Sequence, residues 1–159
     1  MSYPEPGYHG EGGERSAVFR PVDTAPNLIA KSGNTNGYLA TGAGTKGQFG
    51  LYRLDMKPHC GGPKPHFHRT IGESFFILSG TVALYNGDEW IDATAGDFLY
   101  VPEGGIHAFG NESDADASML LLFTPGAPRE DYFERVGTVA GMTEDERAEF
   151  FRHHDTYWL

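Results

Sequence analysis

The sequence predicts an all-β fold, a barrel or jelly roll followed by C-terminal helices, and three observations carry that reading. Short runs of strand-forming residues recur from about residue 16 to residue 125, cut by turn signals at close spacing. The 22 glycines and 10 prolines among 159 residues are too many for a helical bundle and suit short strands joined by tight turns. After about residue 126 the pattern changes to helix starts and stops.

Taken in order, residues 1–15 are rich in Gly, Pro and Glu and are expected to form a flexible arm. Residues 16–125 are expected to form the barrel. Its candidate strands are Ala17–Arg20, Gly37–Ala40, Gln48–Met56, Glu73–Leu78, Thr81–Tyr85, Glu89–Asp92, Asp97–Val101, Ile106–Phe109 and Met119–Thr124. Between the fifth and sixth of these, Asn86-Gly87 favours the positive φ of a tight hairpin turn. Residues 126–159 are expected to form a helical extension. Pro128 opens a first helix with acidic residues in its first turn, and Gly137 is its expected stop. Thr143-Glu144-Asp145-Glu146 is a capping box opening a second helix that runs to about His153, with Phe150 and Phe151 packing on the barrel.

Composition narrows the function. The net charge of −10 argues against nucleic acid and anionic membranes, which need a basic surface. No apolar run approaches the roughly 20 residues of a membrane span. The single cysteine, Cys60, rules out an internal disulfide framework and fits a reducing compartment. With no signal peptide in Met1–Gly7, the expectation is a soluble cytoplasmic protein.

The chemistry concentrates in four residues: His66, His68, Glu73 and His107. Residues two apart on a strand share a face, so His66 and His68 can present both imidazoles to one point. Glu73 follows a short turn later, and His107 can close the set from a distant strand. Imidazole with carboxylate suits one divalent ion such as iron, nickel, manganese, copper, cobalt or zinc. Three imidazoles and a carboxylate leave coordination positions open, which marks a working site. Glu73 is the candidate catalytic base as well as a ligand.

These residues sit in two motifs that resemble those of the cupin superfamily. The first runs Gly-x5-His-x-His-x3,4-Glu-x6-Gly, filled by His66, His68, Glu73 and Gly80. The second runs Gly-x5-Pro-x-Gly-x2-His-x3-Asn, filled by Gly96, Pro102, Gly104, His107 and Asn111. Cys60 stands where the first motif begins with glycine, and Gly61-Gly62 directly after it are expected to shift that turn by one residue. The resemblance, over about residues 45–125, implies a cupin jelly-roll barrel with a metal near its centre. Asn111 is expected to stabilise a turn rather than touch substrate.

Strand alternation sketches a pocket. Phe75 and Ile77 share the face of Glu73, and Phe109 shares that of His107. Phe49, Leu51, Met119, Leu121 and Phe123 are further candidates whose facing the sequence does not fix. Such a lining suits a flat aromatic ligand. The ligand set and the stretch Phe123–Glu130 resemble quercetinase-type dioxygenases and small cupins of polyketide metabolism. That resemblance implies a dioxygenase acting on an aromatic, flavonol-like or enol substrate. It also leaves open a zinc-dependent polyketide cyclase or isomerase and a small-molecule binder without turnover. A homodimer is expected, since cupins of this size pair through an edge strand or terminal segment.

Overall fold

A computed structural model describes all 159 residues. Twelve strands and two α-helices follow in the order β1 (Leu28–Ile29), β2 (Thr35–Ala40), β3 (Gly50–Met56), β4 (Cys60–Gly61), β5 (His66–Phe67), β6 (Gly72–Ser79), β7 (Thr81–Tyr85), β8 (Trp90–Thr94), β9 (Phe98–Val101), β10 (Ala108–Asn111), β11 (Ala117–Thr124), α1 (Arg129–Arg135), α2 (Glu144–His153) and β12 (Tyr157–Trp158). Six strands form one sheet in the order β1-β2-β3-β11-β6-β9, four form a second in the order β4-β10-β7-β8, and β12 pairs with β5. The packed pair of antiparallel sheets is a jelly roll, as predicted. No helix is long and apolar enough to cross a membrane.

Alternation builds the core. In β3, Tyr52, Leu54 and Met56 are buried while Leu51, Arg53 and Asp55 between them are less so. Phe75 and Ile77 of β6 point inward with Glu73, and β11 lies between β3 and β6, adding Met119, Leu121 and Phe123. These side chains meet Val82 and Leu84 from the facing sheet in one hydrophobic cluster.

Gly80 turns the chain from one sheet to the other in a single residue, at φ 73°. A Cβ there would collide with the Asp116 carbonyl and lie 2.8 Å from Ala117 Cα. Asn86-Gly87 turns as expected, with Gly87 at φ 96°, but in a four-residue loop whose Asp88 and Glu89 amides donate to Asn86 Oδ1. Asn111 acts on turns: its Nδ2 donates to the carbonyls of Lys57 (3.0 Å) and Ala115 (2.7 Å), and its Oδ1 accepts from Ser113. The turn before Cys60 shifts opposite to expectation, because the positive-φ residue is His59, ahead of Cys60, and not Gly61.

Three expectations need correction. Ala17–Arg20 forms no strand: Val18 and Phe19 are exposed, and no regular element precedes Leu28. A strand needs a partner, and the β2 edge is taken by β1. Gly137 does not stop the first helix cleanly, since α1 tightens into a 3₁₀ segment over Val136–Gly141. Phe150 packs on Tyr132 of α1 and Phe151 on Trp158, so the second helix meets the extension more than the barrel. The capping box forms as predicted, Thr143 Oγ1 accepting from Glu146 N and Glu146 Oε2 accepting from Thr143 N at 2.8 Å.

The corner at Gly80 gives a direct test. Gly80→Ala places a side chain at positive φ and against backbone, and is expected to destabilise the protein by about 2–4 kcal/mol in urea unfolding. Gly96→Ala, at φ 95° with open space around it, is expected to cost only about 1 kcal/mol.

Candidate metal centre

His66, at the start of β5, and His107, just before β10, form an isolated antiparallel bridge. His66 N donates to His107 O at 3.0 Å and His107 N donates back to His66 O at 2.9 Å. Their rings lie 4.3 Å apart, and the His68 ring lies 5.1 Å from His66 and 5.3 Å from His107. Glu73 enters from β6, facing inward beside Phe123 of β11. One ligand atom from each of the four residues lies within 4.8 Å of the others, and all four residues are buried.

The ring orientations are fixed from behind. Nδ1 of His66 donates to Lys64 O (2.8 Å), that of His68 to Asp155 O (2.6 Å), and that of His107 to Gly105 O (3.0 Å). Carbonyl oxygens only accept, so each Nδ1 carries a proton and each Nε2 is left to face the centre. This is the tautomer a metal ligand needs, set by the hydrogen bond on the other side of the ring. His68 Nε2 is buried without a hydrogen bond, 3.3 Å from Glu73 Oε2. A buried ring nitrogen with no protein partner is what a coordinated ion would satisfy.

Electrostatics agree. Burial pushes His66 down to about 4, so its imidazole is neutral at ordinary pH. Burial alone would raise the Glu73 carboxyl, but the hydrogen bond from His107 and the nearby His68 imidazole outweigh it and hold the group well below the usual carboxylate range. His107 is raised despite its burial, through the 2.9 Å hydrogen bond to Glu73 Oε2. The carboxylate stays ionised in a buried place, a site that calls for a cation. The three histidines and Glu73 therefore fit one divalent ion, and they would hold it.

A cavity of about 580 Å³ opens on His66 and Glu73. Phe109, Leu121 and Phe123, expected at the pocket, line it. Phe75, Ile77 and Met119 do not: they are fully buried core behind the site. Phe49 and Leu51 do not line it either, because the inward places on β3 go to Tyr52, Leu54 and Met56, putting Leu51 on the opposite face. The sequence reading missed the opposite wall. Arg129, Tyr132 and Phe133 of α1, Phe151 of α2 and Trp158 of β12 all face the cavity, so the C-terminal extension closes it. Two glutamates of α1 explain how it docks there, since Tyr52 OH donates to Glu130 (2.6 Å) and Tyr38 OH to Glu134 (3.1 Å).

The extension also orients a ligand. Asp155, at φ 51°, receives His68 Nδ1 on its carbonyl, while its carboxylate accepts from Arg69 N, Thr70 N and Thr70 Oγ1. Trp158 pairs with His66 in register and its ring lies 5.2 Å from the imidazole. His154 is buried, hydrogen-bonded to Phe150 O and Asp131. Removing Asp155–Leu159 is expected to weaken zinc or cobalt binding by about 10- to 100-fold in a chelator competition while the barrel stays folded by far-ultraviolet circular dichroism. An unchanged affinity would show that His68 needs no acceptor from the extension.

Comparison with known proteins places these features. A family model described as "Cupin domain" matches residues 52–123. An uncharacterised protein of Streptomyces coelicolor is 36% identical over 76 residues, covering 48% of this chain and 68% of that protein. Quercetin 2,3-dioxygenase of Bacillus subtilis is 29% identical over 72 residues, which are 45% of this chain and only 21% of that enzyme. Among solved structures, the polyketide cyclase RemF of Streptomyces resistomycificus aligns with a TM-score of 0.52 and 21% identity, covering 76% of this chain and 82% of that one. Both motifs, the jelly roll and the matched segment coincide, and the chain belongs to the cupin superfamily.

Proposed function

We propose that this cupin is a metal-dependent dioxygenase acting on an aromatic, flavonol-like or enol substrate in the 580 Å³ cavity. The observation that carries the reading is the buried set of three imidazoles and one carboxylate on the wall of an aromatic-lined cavity. A redox-active ion held there would supply open coordination positions and relay electrons from the bound substrate to oxygen, the substrate being what is oxidised. The remaining work falls to the chain's own residues. Glu73, kept ionised at the cavity wall, is placed to accept the proton of an enol or phenol. Phe109, Phe123 and Trp158 offer flat faces to a planar ligand and keep water out. The partial match to quercetin 2,3-dioxygenase supports this reading for the barrel, the part of that enzyme the chain matches.

A second reading has the same residues in its favour. A zinc-dependent polyketide cyclase or isomerase would use the ion only to polarise a carbonyl, and the cavity falls within the size range that holds multi-ring ligands. The two part on metal and oxygen. Protein purified without added ions is expected to contain iron, nickel, manganese or copper and to consume oxygen with quercetin. Glu73→Gln is expected to lower that rate by about 100-fold or more. Zinc alone with no oxygen uptake would overturn the dioxygenase in favour of the cyclase. If His66→Ala kept full ligand affinity, a binding protein without turnover would replace both.

We also propose that two copies pair through the outer face of the six-stranded sheet. Phe76 and Phe98 face each other in register across β6 and the edge strand β9, and both are exposed, with Leu78 and Tyr100 beside them. Light scattering is expected to give twice the 17.4 kDa chain mass, and Phe98→Glu to return a monomer. A monomeric wild type would overturn the pairing.

A further inference from the structure

Arg129 is the most unusual side chain in the cavity. It is only 5% exposed and makes no ion pair with any carboxylate. Its Nη1 donates to the His154 carbonyl at 2.7 Å, yet its Nε is buried with no hydrogen-bond partner. The guanidinium rests on aromatic faces, 4.3 Å from the Tyr132 ring centroid and 5.1 Å from that of Phe123. Phe123 is in turn the register partner of Glu73 and lies 6.5 Å from the His68 ring. One aromatic ring therefore separates a buried, unpaired cation from the metal-binding residues.

A purely structural role explains this poorly. Joining α1 to the His154 carbonyl needs one neutral donor, which glutamine would provide without burying a charge. Aromatic faces soften the cost of a buried guanidinium but do not satisfy its fork of N–H donors. The charge balance of the cavity points the same way. The chain as a whole carries −10, but the cavity wall carries Lys64, Arg129 and Arg147 against a single acid, Glu73. Lys64 and Arg147 are exposed, whereas Arg129 is inside. A divalent ion at the four ligands would make the interior more positive still.

We propose that Arg129 is the anion-binding residue of the cavity, and that the ligand is an aromatic acid or a compound with an equally localised negative oxygen. A planar ring lies along Phe123, and its carboxylate or enolate oxygen accepts from the guanidinium, the pairing for which arginine is better suited than lysine. Sequence motifs cannot show this residue, because it comes from the extension and not from the barrel. The proposal names the substrate class of the cavity and so rests on its being the reaction site, but its test reads binding and not turnover.

The test compares benzoate with benzamide, a neutral isostere, by isothermal titration with the full chain, both metal-loaded and chelator-stripped. Benzoate is expected to bind about tenfold or more tightly than benzamide in both forms. Arg129→Met is expected to abolish the preference with benzamide affinity unchanged, and Arg129→Lys to retain part of it. Because Arg129→Met could fail to fold, the wild-type comparison in the stripped form stands alone as a test. Equal binding of the two probes, or a benzoate preference present only with metal bound, would overturn the assignment. A protein that favours benzoate yet consumes no oxygen would overturn the dioxygenase and leave the anion site standing.

Discussion

Two backbone hydrogen bonds hold the centre of this protein together: His66 N to His107 O, and His107 N to His66 O. They join residues 41 positions apart through the main chain, so the two imidazoles are placed by backbone geometry and not by flexible side chains. Everything else at the site is arranged around that bridge. His68 follows on the same face, Glu73 approaches from β6, and Trp158 covers the other side of His66. Without the bridge the two sheets would still pack, but the ligands would lose their common point. The glycines near it serve the same end. Gly104 N donates to His68 O at 2.7 Å, and a Cβ on Gly105 would lie 2.6 Å from Val101 Cγ1, so the turn before His107 is packed as tightly as the site it carries.

The extension after residue 126 belongs to the same unit. It supplies the acceptor for His68 through Asp155, a cover for His66 through Trp158, and one whole wall of the cavity through α1 and α2. Asp155 does two things at once, since its carboxylate grips the Arg69–Thr70 turn while its carbonyl orients the ring of His68. Burial would raise that carboxyl, and the hydrogen bonds from Thr70 and Arg69 more than offset it, holding it below its ordinary value. Orientation of a ligand and closure of the cavity are therefore coupled through the last few residues.

Much of the centre was legible in the sequence because its spacing is local. His66 and His68 share a face by strand period alone, and the turn residues Pro102, Gly104 and Asn111 announce where His107 falls. The facing of β6 follows from the same rule once Glu73 is set inward. For β3 the rule applies equally, but parity was open until Tyr52, Leu54 and Met56 were seen to take the core, which sends Leu51 outward. Arg129, Asp155 and Trp158 could not be read at all. Their link to the site is tertiary: α1 must dock on Tyr38 and Tyr52, and β12 must find β5, before any of them meets a ligand. Ala17–Arg20 has strand-forming residues and no strand to join, which propensity cannot reveal.

The position of Glu73 decides what chemistry the centre can support. It is the single acid in the cavity, buried, with two imidazoles within 3.3 Å of its Oε2. In the absence of any cation the same oxygen can be balanced only by a proton shared with His107, whose imidazole is raised for that reason. A divalent ion at the four residues would compete with that proton for one place, so ligand and base would be alternative states of one carboxylate. With an ion held there, His107 would be neutral and present its lone pair; a Glu73 released from the ion would already be ionised, as the proposed base requires. The proposed anion site at Arg129, one aromatic ring away, would keep a substrate's negative oxygen from that carboxylate, because like charges in a low-dielectric cavity repel and the guanidinium offers the better partner.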